Sequence, residues 1–463
     1  MFLHEWSEKM ATDSSSHTLR GYNIEALVVA PVAMLAVIIV AAVYDPIALK
    51  AGATAVVAMS PIWLPLFLLT TVWSSWIKYI RFQFWFSIDY VLLEITLPPE
   101  VEKSPLAMEV VLTTLWNSGG EATFIQRLWK GAYRPIWSLE IASNEGRVSY
   151  YIHTRRAFRT VIESRLYGQF PEAKITEVED YVAKVPFNLE EYDLWGLEYA
   201  KAQPGAVPIK TYYDYAQDKN PDTPEITIDP ISNTLELFSS VGKGQYLWLQ
   251  FIVKARKKDE WYGFYNTKHD SFKDGGKKAI QNMIIAAAER SKKILGDLGI
   301  EDKEKTTLKQ AASRGAGLLS EDERTRVEAI EKSMSKLIFE AGIRGVYIAK
   351  KDRFDGVYNG ALVRLFDPYR SAGLNQINPT RGLAIFDYPW QDYKKIRQTF
   401  IKKQLYFLYR HRAYFYVPYD QVPVFLNLEE LASLWHFPNS SVQPPGLERV
   451  AAKRAEAPAG LPI

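Results

Sequence analysis

The residues with the clearest chemistry lie towards the C-terminus. Residues 391–412 carry Lys394, Lys395, Arg397, Lys402, Lys403, Arg410 and Arg412 against Asp392 alone, seven cations to one carboxylate and a net +6. Tyr393, Phe400, Tyr406, Phe407 and Tyr409 are interleaved with them. Cations at this density neutralise phosphates and aromatic faces stack bases, so one reading of the segment is a nucleic-acid site. A basic amphipathic helix resting on anionic lipid headgroups would use the same residues. So would an ordinary exposed helix whose aromatics pack on the body. The sequence leaves all three open, with these seven cations as the polyanion-binding candidates.

Elsewhere the chemistry thins out. The chain has no cysteine, which excludes disulfides, thiolate metal sites and cysteine nucleophiles. His4, His17, His153, His269, His411 and His436 show no metal-ligand spacing and read as structural. Glu177, Glu179 and Asp180 form an acidic patch, but hard cations need ligands that converge in space, and a solvated strand end is the simpler reading. Gly242-Lys243 and Gly276-Lys277 are followed by Gly and Lys rather than Ser or Thr, and neither has a glycine five residues earlier. No phosphate loop can be built on them, and residues 242–244 read as a turn. There is no G-x-S-x-G nucleophile elbow. The expectation is a protein without catalytic residues, cofactor or metal, and not an enzyme.

The elements that must position the basic segment begin with two uncharged stretches, residues 26–44 and 51–77. Each is close to the ~20 apolar residues that cross a bilayer, and only residues 45–50 separate them. They predict a transmembrane hairpin within residues 22–81, after a cytoplasmic segment 1–21. Trp73, Trp76 and Tyr79 close the second span, with Lys78 and Arg81 following. Lys9 and Arg20 precede the first span and Lys50 alone lies in the loop, which puts both termini in the cytoplasm. The acidic Glu5, Glu8 and Asp13 argue against a cleaved signal peptide.

Beyond residue 81 the chain is long enough for two or three domains, and 48% hydrophobic residues can fill their cores. A net charge of +3 makes any basic surface a local one. Residues 82–185 give the order β-α-β-β-α-β: strands at 90–97, 136–142, 148–153 and 173–178, helices after Ser104 and at 157–167. Residues 143–146 (SNEG) have the composition of a hairpin turn. The same order recurs over 190–387, with strands at 192–201, 245–253 and 338–350, helices at 230–241 and 358–366, and a closing strand at 383–386. This predicts an α+β fold of tandem ferredoxin-like units. The second would be split by a helical insertion at about 258–336, a separable excursion of two helices, the second opened by a Ser320–Glu323 capping box. Residues 388–438 hold the basic-aromatic helix and a C-terminal motif. Residues 439–463 form a proline-rich tail with too few large apolar residues to fold alone.

Four strings carry a family resemblance: residues 103–109 (KSPLAME), 169–181 (QFPEAKITEVEDY), 208–215 (PIKTYYDY) and 425–438 (FLNLEELASLWHFP). Together they resemble an uncharacterised family of membrane-anchored bacterial proteins of candidate-phyla type. Its members are found beside, or fused to, coupling-protein ATPases of conjugative DNA transfer and type IV secretion. The likeness covers most of the chain after the hairpin. In fused relatives the segment like residues 434–438 (LWHFP) precedes the motor domain, and here the sequence ends about where that domain would begin. The resemblance implies a scaffold in the inner membrane, with two spans and a cytoplasmic body. Its partners would be lipid, a separate P-loop ATPase, DNA and a larger membrane complex, and no catalytic residue is transferred. Two alternatives stand beside it: a membrane-tethered nucleic-acid-binding protein, and a membrane enzyme of unrecognised type.

Overall fold

The computed structural model describes residues 46–98, 101, 103–119, 123–185, 188–217, 228–257, 260–262, 265–267, 271–297, 319–382, 392, 395–416, 419–439, 442 and 444–449. In chain order the first elements are helices α1 (Pro46–Ala58) and α2 (Ser60–Ser87). A first series follows: β1 (Tyr90–Thr96), α3 (Pro105–Thr113), α4 (Phe124–Leu128), β2 (Ile136–Asn144), β3 (Arg147–Arg155), α5 (Arg159–Gln169) and β4 (Lys174–Val178). The second series runs β5 (Tyr192–Lys201), α6 (Ile231–Ser239), β6 (Gln245–Ala255), then β7 (Glu260–Tyr262), β8 (Tyr265–Thr267), α7 (Ser271–Asp297) and α8 (Glu321–Ser335). It resumes with β9 (Ile338–Lys350), α9 (Val357–Val363) and β10 (Ile377–Gly382). Helix α10 (Ile396–Arg410), strands β11 (Phe415–Tyr416), β12 (Tyr419–Asp420) and β13 (Val424–Asn427), and helix α11 (Leu428–Leu434) close the chain. The fold is mixed α+β, built on an antiparallel sheet. It divides into a smaller unit (up to Asp89, Gly119–Tyr133 and Ala413–Gln421) and a larger one holding the rest.

Among the described residues nine strands form the sheet of the larger unit, in the order β10-β5-β9-β6-β2-β3-β1-β4, with β13 pairing the start of β9. The two halves share one connectivity. In the first, β1 lies between β3 and β4 with β2 beyond β3; in the second, β5 lies between β9 and β10 with β6 beyond β9. The halves meet where β2 pairs antiparallel with β6, from Ile136–Lys254 to Asn144–Tyr246. Glu145 and Gly146 both take positive φ, 55° and 91°, between β2 and β3. That is the backbone of a two-residue hairpin turn whose twist suits the strands.

Alternation along each strand sends one set of side chains to each face. Leu93, Ile95, Ile141, Tyr150, Leu249 and Ile343 point to a core shared with α3, α5, α6, α9 and α11. Ser104 starts α3 by accepting from Leu106 N, with Pro105 supplying the preset φ of a first helical residue. On the other face Leu92, Tyr151, Trp248, Val346 and Ile348 pack with Leu405 and Tyr409 of α10.

Three expectations change. Residues 383–386 lie outside the described residues, and the strand that closes the second series is β10, just before them. The described part of the expected tail packs on the body: Val442 and Leu447 are buried, and Val148 N donates to Gly446 O at 2.7 Å. Its anchoring comes from the β2–β3 hairpin, which composition does not reveal. The excursion between β6 and β9 is antiparallel α7 and α8, but Phe272 and Ile330 are buried with Ala206 and Val207 of the body. Asn427 Nδ2 also donates to Ser333 Oγ at 3.0 Å. The insertion is part of the larger unit's packing.

In the smaller unit, the expected loop at 45–50 is helical from Pro46, and residues 51–77 are divided between two helices that meet at Met59. Pro61 explains the break, since it has no N–H to donate to the preceding helix and is tolerated only in the first turn of the next. Among the described residues no helix is long and apolar enough to cross a membrane; tryptophans, prolines, Ser and Thr dilute the hydropathy of α2. Residues 26–44 lie outside the described residues. Trp76 Nε1 donates to Leu128 O at 3.1 Å, and the Trp76 and Trp129 rings meet edge to face at 6.0 Å. Gly131, at φ 64°, lies so close to α2 that a Cβ would stand 2.4 Å from Ile80 O. Tyr133 packs against Phe84 and Tyr416, with the Arg81 guanidinium 5.2 Å from the Tyr416 ring.

Candidate functional site

Helix α10 is the basic-aromatic segment, and its own carboxylate starts it: Asp392 accepts from Arg397 N at 2.8 Å and Gln398 N at 2.9 Å. Leu405, Leu408 and Tyr409 are buried on its inner side. The seven cations separate. Lys395, Lys403 and Arg410 are exposed, and Arg397 is half-buried. Lys402 is paired with Asp193, and Lys394 lies outside the described residues. Arg412 is not a surface cation at all: it is buried beneath the C-terminal end of α10 in a left-handed backbone conformation, φ 51°.

Arg412 joins a buried polar cluster at the centre of the sheet. Its Nε and Nη2 donate to the two carboxylate oxygens of Glu140 at 3.0 and 3.2 Å, and it also grips Asp180. Glu140 accepts further from Ser138 Oγ, Tyr181 OH and Gln250 Nε2. Tyr181 spends its proton on Glu140, so the 2.7 Å contact with Tyr409 is donated by Tyr409. Gln250 continues the row to Arg344, which holds Glu198 at 2.7 Å. Burial pushes the Glu140 carboxyl up, but the Arg412 charge and the converging hydrogen bonds outweigh it and leave it below its ordinary value.

Beside this cluster the same face opens into a cleft of about 300 Å³, lined among others by Glu94, Glu145, Glu179, Arg147, Lys184, Tyr151 and Tyr246. Tyr151 OH donates to Glu94 at 3.1 Å, and Tyr246 OH to Glu145 at 3.3 Å. Burial and these neighbouring carboxylates push both phenols well above their ordinary range, so they stay neutral donors. The cleft can hold a small polar or cationic group.

The acidic patch read from the sequence does not converge. Glu177 pairs with Arg156 and Arg159, Asp180 with Arg412, and Glu179 faces the cleft. Among the described residues no group of His, Asp and Glu could hold a metal ion. His153 stacks on Tyr90, and burial and then Arg412 push its pKa well down. His411 stacks on Phe407, while His4, His17 and His269 lie outside the described residues.

His436 is buried in a second polar cluster, on the helical face. Nδ1 contacts Ala432 O at 3.0 Å and Nε2 contacts Asp229 Oδ1 at 3.1 Å. Burial raises the Asp229 carboxyl, but His436 and the hydrogen bonds around it bring it below its ordinary value. Nearby in the fold, Lys201 and Glu430 form a buried ion pair of 2.6 Å, and Glu430 also closes a capping box with Asn427. Residues 425–438 therefore belong to the core. The buried partners Glu140, Glu198 and Arg344 were missed in the sequence; their signal is a charge flanked within a strand by apolar residues or glycine. The chain matches no protein-family model and no curated protein.

Proposed function

We propose that this chain is a membrane-anchored scaffold component of a type IV secretion or conjugation-like translocation system, working with an ATPase carried on a separate chain. The observation that carries the reading is the surface of α1 and α2. Ile47, Val57, Ile62, Phe67, Leu69 and Val72 are all exposed, and no charge interrupts residues 51–77. Large apolar side chains exposed in this number need lipid or partner helices to cover them. With residues 26–44 it is read as the two-helix anchor, in the inner membrane, with the body in the cytoplasm.

The body is read as two ferredoxin-like units fused edge to edge. Support comes from the order β4-β1-β3-β2 repeated as β10-β5-β9-β6. Among the described residues nine strands are paired, with the buried Glu140–Arg412 and Glu198–Arg344 pairs inside, an extended surface that suits a scaffold. The four sequence strings supply the link to translocation systems.

Photo-crosslinking in membranes of producing cells tests this. The reading expects the chain in the carbonate-resistant pellet, crosslinked to a P-loop ATPase. Recovery as a carbonate-soluble protein without an ATPase adduct would overturn it.

A second reading, a membrane-tethered nucleic-acid-binding protein, is favoured by one feature of α10. Its outward face presents Ile396, Phe400, Lys403, Phe407 and Arg410 at helical spacing, all exposed. Such a stripe suits stacking and phosphate contact together.

A further inference from the structure

We propose that the short helix Phe124–Leu128, with Trp129 and Lys130, is a second membrane contact that lies flat in the lipid headgroup region beside α2. The inference rests on the membrane-anchored reading of α2 and adds a site to it.

Phe124, Ile125 and Trp129 are 49%, 60% and 59% exposed and occupy one side of a single helical turn. Exposed aromatics of this size on a five-residue helix gain nothing from water, and Thr123 and Gln126 still cap it with a reciprocal pair of hydrogen bonds. The helix is therefore built, and it presents apolar chains outward. Arg127 within the helix and Lys130 just after it are basic, against Glu121 before it.

Depth is what selects lipid as the occupant. The segment is fixed to α2 at two levels, by Trp76 Nε1 on Leu128 O and by Gly131 against Ile80 O. Those levels bracket the point where the uncharged stretch ends at Ile77 and Lys78 and Arg81 begin. If α2 sits in a bilayer, Phe124, Ile125 and Trp129 are held where hydrocarbon gives way to headgroups. Trp76, Tyr79 and Trp129 would form one aromatic belt there, as interfacial rings do. Lys78, Arg81, Arg127 and Lys130 supply the positive charge that anionic headgroups attract.

The absence of native cysteine permits a clean test. Ile125→Cys and, separately, Leu69→Cys are introduced into the full chain, both at exposed positions, and labelled with a polarity-sensitive fluorophore. The protein is reconstituted into vesicles of neutral and anionic phospholipid and quenched with shallow spin-labelled lipid, deep spin-labelled lipid or aqueous iodide. The proposal expects the probe at position 125 to lose most of its emission to the shallow label and little to iodide. The probe at position 69 should respond to the deep label. If position 69 responds to the deep label while position 125 is quenched by iodide alone, the second contact is overturned and the anchor stands. If neither responds to lipid labels, both readings fall.

Discussion

Arg412 and Glu140 stand 272 residues apart in sequence and form a two-point ion pair, 3.0 and 3.2 Å, beneath α10. The most basic segment of the chain thus sends its last cation inward, where it joins α10 to the middle strand of the sheet. Removing one partner leaves a buried charge alone, which costs about 3–5 kcal/mol. Arg412→Met should lower the unfolding free energy of the larger unit, read from urea melts, by that amount. Arg412→Met combined with Glu140→Leu should recover much of the loss, because a pair replaced by apolar chains leaves no unpaired charge.

Acid should unfold the larger unit through its depressed carboxylates. Glu140 and Asp229 both ionise more readily folded than unfolded, so their stabilisation is present above the unfolded value, ~4. It is lost as pH falls through their lower folded values. Urea midpoints should begin to fall below about pH 6.5, where unfolding lets the buried His153 take up a proton, and drop further below about pH 4. Asp229→Asn should flatten that acid drop while lowering stability at pH 7.

Gly446 passes so close to the hairpin that a Cβ would stand 1.9 Å from Gly146 O. Gly446→Ala must displace one backbone from the other, at a cost of about 1–3 kcal/mol. Amide exchange at Val148, which donates to Gly446 O, should accelerate. Gly52→Ala, with nothing within 4 Å, should meet no clash and favour α1 by up to about 1 kcal/mol through helix propensity.

The cations of α10 divide by role. Changing Lys395, Lys403 and Arg410 to Gln should leave the fold intact. If the helix binds duplex DNA, the log–log salt slope should become shallower by up to ~0.9 per lost phosphate contact. Changing Arg412 or Lys402 should register as lost stability instead.

Much of the sheet was legible because apolar and β-branched runs separated by turns specify strands almost residue by residue. Tyr192–Lys201 and Ile338–Lys350 fall where the pattern put them. What the pattern could not give is the pairing of β2 with β6, since two edges choose each other only in space. Arg412 was misread for a related reason: a cation in a basic helix looks solvated until its carboxylates, 232 and 272 residues away, arrive beside it. Helix α4 was missed although Thr123 and Gln126 have capping-box spacing, because five residues carry too little periodicity to register.

The central claim is the anchor, and topology tests it most directly. Reporter fusions after Gly52 and after Tyr90 should give opposite signals, with the second on the cytoplasmic side. Matching signals from the two positions would contradict the account.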